Sequence, residues 1–490
     1  MLTRRQFSVG AAAAVSVSFA SERPALSELA WFNAPLPLPE LFDAAESNNA
    51  LTLKVAAGRH AFVPGKPTIT YGYSAPVLGP VIRVRRGDEI QMTVENSLDR
   101  ATTVHWHGLL VPGEMDGGPS NVIKAGDTWR PVLKIDQPAT TAWYHPHPHH
   151  DTARQVYMGL AGLIIIDDGS DDRLGLPRTY GVDDIPIILQ DRLFSPDGSL
   201  FYDRSPMAVM GGMRGDTVIV NGAIAPVAKV PRGLVRLRLL DGANARNFDL
   251  RFRDRRKFYV IASDGGFLAA PVAVTELTIS PGERFEVLVD FSDGKPVLLD
   301  TGPDDHQGMM GGMMRSGFAS YYGPVMRFEP IASPGAITTL PARLVEPAAA
   351  DPALAVTHRQ LELNAMMGMG MMGGRRGFQS DGSMGINGRS FDMNRIDVAA
   401  KQGTTELWDI ISADMAHPFH IHGASFRVLS INGRTPRAHL AGWKDVILVE
   451  GRAKVLIAFN QPATQRHPFM FHCHILEHED AGMMGQYVCT

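Results

Sequence analysis

Apolar and polar residues alternate over short distances along this chain and are broken repeatedly by glycine, a period of two that places successive side chains on opposite faces of a β-strand. The run VIRVRRGDEIQMTVEN, residues 81–96, reads as a strand, a turn at Gly87 and a second strand. The same unit returns as AKVPRGLVRLRLLDGAN around Gly233 and as DVAAKQGTTELWDIISAD around Gly403. A second element follows each copy: VIKAGDTWRPVLKID at Gly126, LTISPGERFEVLVDFS at Gly282 and VILVEGRAKVLIAFN at Gly451. The intervals between these three glycines, 156 and 169 residues, are the size of domains rather than of solenoid repeats. The pattern therefore predicts an all-β chain of three Greek-key β-sandwiches, because short alternating strands bury one face against a second sheet.

The boundaries follow from shifts in composition. An acidic stretch, Asp167–Asp172, closes a first domain over residues 24–170. A Pro- and Ala-rich segment, Ile331–Pro352, separates a second domain, 178–335, from a third, 353–490. A low-complexity insert, MMGMGMMGG at 366–374, lies near the start of the third. At the other end, Thr-Arg-Arg-Gln-Phe-Ser-Val at 3–9, an Ala-rich apolar run and Ser18-Phe19-Ala20 resemble a twin-arginine export signal over residues 1–20. The expectation is a periplasmic protein delivered by the twin-arginine machinery. No later stretch reaches about 18 uninterrupted apolar residues, so no membrane insertion of the mature chain is expected.

Composition narrows the chemistry. The 49 glycines and 34 prolines disfavour long helices. A formal charge of −4 without a basic run removes the electrostatic footprint that nucleic acid or an anionic membrane would need. Two cysteines, not in a C-x-x-C pair, make no disulfide framework. Against them stand 17 histidines and 23 methionines, a balance that points to soft-metal chemistry.

The histidines are paired: His105 and His107 in HWHG, His145 and His147 in YHPHPHH, His420 and His422 in HPFHIHG, His472 and His474 in FHCHILEH. Residues two apart on a strand share a face, so each pair presents two imidazoles side by side. Cys473 lies between His472 and His474, and its thiolate must point to the opposite face, so that one tripeptide connects two metal centres. His417, Cys473 and His478, with Met483 as a weak axial thioether, form the ligand set of blue copper. Closed zinc sites favour additional cysteines at C-x₂₋₄-C spacing, which the chain lacks. His149, His150 and His306 fall outside the pairs and are expected at the surface or behind the ligands, and Cys489 is expected to be a free thiol.

The HWHG, H-x-H, HPxHxHG and HCHxxxHxxxxM segments, in that order, resemble the four copper-binding segments of the multicopper oxidases, and the resemblance spans essentially the whole mature chain. It implies cupredoxin-like domains and four copper ions. A type 1 copper would be held by His417, Cys473, His478 and Met483. A type 2 copper would take His105 and His420. A binuclear type 3 pair would take His107, His145, His147, His422, His472 and His474. All eight paired histidines are used, which sets the chain apart from members of the fold that have lost copper and serve as scaffolds. Electrons would enter at the type 1 site and collect at the trinuclear cluster, where O₂ is reduced to water, and the axial Met implies a moderate potential. Asp116 and Glu479 match the acidic positions that relatives use near that cluster and are the proton-relay candidates.

The methionines bear on the reductant. Met366, Met367, Met369, Met371 and Met372 lie in one Gly-rich run, and Met309, Met310, Met313 and Met314 in another. Glycine-interrupted runs make poor helices, and thioethers suit Cu(I). Met-rich insertions before HPFHIHG are similar to those of the bacterial copper-efflux oxidases, which oxidise Cu(I) to Cu(II). Asp414 and Met415, just before His417, are the candidates for the substrate copper, with 366–372 as a delivery loop. The Asp414 to His417 spacing is one residue shorter than in those relatives. A laccase acting on phenols or aromatic amines and a copper-sequestering periplasmic protein are the two other readings.

Overall fold

The computed structural model describes residues 32–304, 322–333, 336–346, 351–364 and 384–490, including every side chain in them except those of Ala413 and Asp414. Residues 1–20, expected to be an export signal, His306 and both methionine runs lie outside the described residues. Strands account for 49% of the chain and helix for 8%, so the fold is all-β as the alternation predicts. Among the described residues, no helix is long and apolar enough to cross a membrane.

Three hydrophobic cores follow one another along the chain. The first, from Ala44 to Ile166, lies between a four-stranded and a five-stranded sheet. Its strands Ala50–Val63 and Glu89–Asn96 alternate buried and exposed residues, and Leu51, Leu53, Val55, Ile90, Met92 and Val94 fill the interior. The second core, Leu176 to Leu344, is enclosed by a seven-stranded and a five-stranded sheet. Here Asp184–Arg192 and Leu234–Asp241 are buried along their whole length, because one face fills the second core while the other packs against the first. Trp143, Leu163 and Ile165 from the first sheets meet Ile188 and Leu240 from the second in that seam.

The third core, Leu361 to Cys489 with Ala245, is built on nine hydrogen-bonded strands. Its long strands Thr404–Ile421 and Val446–Phe459 run antiparallel, and the register shifts between Ser412 and His417. That irregularity takes Asp414 and Met415 out of the ladder and re-aims the strand end that carries His417 and His420. The ladder then sets Phe419 opposite Cys473 and His420 opposite His472.

Candidate metal centre

The histidine pairs converge from both ends of the chain. His105 bridges to His145 across an antiparallel contact, and His420 pairs with His472 in the third sheet. Only His420 and His472 lie inside regular strands; the other paired histidines sit at isolated bridges, turns or just beyond strand ends. The pairs therefore work by ending strands at a common point rather than by lining one. All eight are essentially excluded from solvent.

Hydrogen bonding fixes most of the tautomers. A carbonyl can only accept, so the ring nitrogen facing it carries the proton. His105 Nδ1 donates to the Asp116 carbonyl at 2.9 Å, His145 Nδ1 to Pro146 at 2.9 Å, His420 Nδ1 to Asp445 at 2.9 Å and His472 Nδ1 to Cys473 at 3.0 Å. His422 Nδ1 donates to Asp116 Oδ2 at 2.8 Å. Each of these five rings is left with a bare Nε2 lone pair directed inward. His107 is reversed: its Nε2 lies 3.2 Å from Asp445 Oδ1 and its Nδ1 faces His145 Nε2 at 3.4 Å.

The consequence is a test of whether a cation fits. His472 Nε2 lies 3.2 Å from His422 Nε2 and 3.2 Å from His147 Nε2. The first contact sets lone pair against lone pair, which no hydrogen bond can relieve, and its spacing suits two nitrogens bound to one ion at about 2.0 Å each. Among the described residues, His105 Nε2, His420 Nε2 and both nitrogens of His474 find no hydrogen-bond partner although they are buried. Burial, followed by the neighbouring imidazoles, holds His107, His145, His147, His420, His422 and His474 well below the usual histidine range, and burial first lowers His472 to about 3. Neutral imidazole is the ligating form. The donor sets His105–His420–His422, His105–His107–His145 and His147–His422–His472 each bring their ligand atoms within 4.8 Å of one another, and a metal ion fits.

A second buried cluster, His417, Cys473 and His478, meets the same criterion on the other face of the His472–His474 tripeptide. His478 Nε2 donates to the Met210 carbonyl at 3.1 Å, which leaves Nδ1 facing Cys473 Sγ at 3.7 Å. The Ile475 N–H donates to the same sulfur at 3.3 Å. Ser412 Oγ lies 2.7 Å from His417 Nδ1. Burial lowers His417 to about 3. Met483 is fully buried, and its backbone is tied to His478 and Cys473, its N–H donating to the His478 carbonyl and its carbonyl accepting from Cys473. Met415 packs against this core, half-buried.

Carboxylates border the histidines. Asp116 Oδ2 is also 3.4 Å from His105 Nδ1, and Gly117, at φ +81°, lets the chain turn so close that a Cβ would lie 1.7 Å from the Val104 carbonyl oxygen. Glu479 lies 3.4 Å from His147 Nδ1 and 3.2 Å from His472 Nδ1, and burial, then Asp480, pushes its carboxyl well above the usual range. His149 is half-buried and stacked on the exposed His150, and Cys489 is a buried free thiol.

Sequence reasoning missed Asp445, Arg284 and Asp264. Arg284 binds Asp445 through two bonds of 2.6 and 2.7 Å. Gly282, two residues earlier at φ +85°, lies so close to His474 that a Cβ would come within 2.8 Å of the ring. None of these positions carries a spacing motif, and only the pairing of distant strands reveals them.

Three segments of the chain, residues 54–171, 196–298 and 359–490, match the multicopper oxidase family. The chain is 38% identical to the cell division protein FtsP of Yersinia pestis over 99% of its length and 98% of that protein, and 36% identical to the multicopper oxidase mco of Staphylococcus aureus over 93% and 92%. The solved structure of CueO, a laccase-like multicopper oxidase from the lignin-degrading bacterium Ochrobactrum sp., is 48% identical, covers 93% of this chain and 100% of its own, and aligns with a TM-score of 0.85.

Proposed function

Because the chain belongs to the multicopper oxidase family, whose cofactor is copper, we propose that it couples one-electron oxidation of a reductant, Cu(I) foremost, to the four-electron reduction of O₂ to water. The observation that supports this reading above all is the pair of buried donor clusters, one of imidazoles and one of N, S and N, joined through the single tripeptide His472–Cys473–His474. In this reading His417, Cys473, His478 and Met483 hold a type 1 copper, His105 and His420 a type 2 copper, and His107, His145, His147, His422, His472 and His474 a type 3 pair. Bound copper would supply one-electron acceptance at the thiolate and pooled reduction of oxygen among the imidazoles. Four Cu(I) ions each lose one electron; one O₂ takes up four electrons and four protons and leaves as two waters.

The chain's own residues do the rest. The peptide from Cys473 to its two neighbours is a covalent route between the clusters. Asp116, which touches His105 and His422, and Glu479, which touches His147 and His472, carry protons to the histidine cluster. The protein excludes bulk water from all twelve of these ligand side chains by burying them. Asp414 and Met415, with Met366, Met367, Met369, Met371 and Met372, receive the substrate copper; of these, Met415 and the backbone of Asp414 are described, at the strand irregularity that ends in His417. The domain limits 24–170, 178–335 and 353–490, and export of the chain to the periplasm through residues 1–20, belong to the same proposal.

The complete histidine set supports an oxidase over a purely structural part such as the name of the FtsP relatives could suggest. The 48% identity to an oxidase with activity towards lignin model compounds favours a second reading, a laccase acting directly on phenols. The test is turnover of Cu(I) under O₂ by the copper-loaded protein. An oxidase consumes many equivalents, whereas a sequestering protein stops near its binding stoichiometry. Deleting Met366–Met372 should abolish most Cu(I) turnover and spare phenol oxidation; undiminished Cu(I) turnover would leave the laccase reading standing.

A further inference from the structure

Arg284 sits where all three cores meet. Its Nε donates to the Thr141 carbonyl of the first at 3.1 Å. Nη1 and Nη2 donate to Gly282 and Asp264 of the second at 3.0 and 3.1 Å, and to the Asp445 carboxylate of the third at 2.6 and 2.7 Å. These bonds use all five N–H donors of the guanidinium, so a planar, fully buried cation is held in a single orientation. A Cβ at Gly108, next to His107, would lie 2.5 Å from Nη2, so glycine there leaves room for the arginine.

Asp445, in turn, orients two histidines. Its carbonyl accepts from His420 Nδ1, and its carboxylate faces His107 Nε2. Asp445 Oδ1 already accepts from Arg284 Nη1 at 2.6 Å, so the His107 nitrogen that faces this same oxygen carries the proton. This explains the reversal of His107 relative to His105, His145, His420, His422 and His472, which are protonated at Nδ1.

We propose that Arg284 and Asp445 are positioning residues for copper: the guanidinium fixes the carboxylate, and the carboxylate holds His107 as the Nε2–H tautomer, so that this ring presents Nδ1 to the metal. The proposal rests on the reading of the paired histidines as copper ligands. It gives the second core, which contributes none of the eight paired histidines, a direct part in the centre. The Arg284 side chain reaches from it to set one ligand from the first core through Asp445 and one from the third through the same residue's backbone.

The test compares copper-loaded wild type with Arg284→Met, Arg284→Lys and Asp445→Asn, and with Arg236→Met, which removes an equally buried guanidinium from the same region without touching a histidine contact. Each protein is equilibrated with a competing copper chelator, then read for copper retained per chain, for the type 2 signal in electron paramagnetic resonance and for the blue thiolate band. Expected is a loss of about tenfold to a hundredfold in affinity at the histidine cluster in Arg284→Met and Asp445→Asn, a smaller loss in Arg284→Lys, an unchanged blue band, and wild-type copper in Arg236→Met. Wild-type retention at the histidine cluster in folded Arg284→Met and Asp445→Asn overturns the proposal. So does a parallel loss of the blue band, or the same copper loss in Arg236→Met, since either means that the network only holds the fold. A wild-type chain that keeps no copper at the histidine cluster overturns the ligand reading and this proposal together.

Discussion

One carboxylate oxygen of Asp116 lies within reach of two imidazoles, 2.8 Å from His422 and 3.4 Å from His105, while its other oxygen, Oδ1, is buried without a hydrogen-bond partner among the described residues. Replacing Asp116 by Asn keeps the size and one acceptor oxygen for His422 but removes the capacity to take up a proton. Asp116→Asn should load copper normally, keep the blue band, and lower steady-state oxygen uptake about a hundredfold, the low end of what a positioned acid or base contributes. An oxygen electrode under saturating reductant decides it, and an undiminished rate with full copper removes Asp116 from the relay. At this scale the sequence was highly legible where chemistry is local. The H-x-H pairs, Cys473 and His478 announce themselves by spacing alone, and motif position pointed to Asp116. Arg284 and Asp445 could not be found that way, because PGERF and WKDV are ordinary strand-edge sequences until a register between distant strands brings them to the histidines.

Among the elements, the strand Leu234–Asp241 shows what alternation reveals and what it omits. Val235, Leu237 and Leu239 fill the second core, as the period of two requires. Arg236 and Arg238 take the opposite face, yet they too are buried, against Asp171, Asp184, Glu286 and Thr141. Sequence alternation gives two faces but does not say that a second sheet system covers the polar one, so the ion network at the seam was not foreseen. Its pH dependence can be worked out from Glu286. Burial would raise its pKa, but Arg236, Arg238 and the Thr141 hydroxyl outweigh that and lower it to about 2. A folded-state pKa below the unfolded value gives stability that is present above about pH 4.5 and is lost as the pH falls towards 2, of order 3 kcal/mol in all. Glu286→Gln should therefore be less stable than wild type at neutral pH and lose less between pH 5 and 3 when both are unfolded copper-free in urea. Parallel losses over that range would assign the acid sensitivity to other groups, since the buried histidines contribute equally to both curves.

Across the whole molecule, the candidate ligands lie at opposite ends of the chain: His147 and His472, whose Nε2 atoms stand 3.2 Å apart, are separated by 325 residues. The three cores are large and apolar enough to form without metal, so copper is not needed to make the sheets. What it adds is relief of the lone-pair contacts among the imidazoles and a further bond between the first and third cores, beside the hydrogen bonds of His422 to Asp116 and of Thr152 and Ala153 to Asp480 that already join them. A ligand that binds only the folded state stabilises it by mass action, about 4 kcal/mol when free copper exceeds the dissociation constant a thousandfold. Stripping copper should therefore lower the melting temperature by several degrees while leaving the far-ultraviolet β signature unchanged at room temperature, and copper added back should restore the melt. Calorimetry of the stripped and reloaded protein checks this. Coincident melts would mean that the histidine cluster gains nothing from the ion, whereas a loss of β structure on stripping would mean that the cores depend on copper to form.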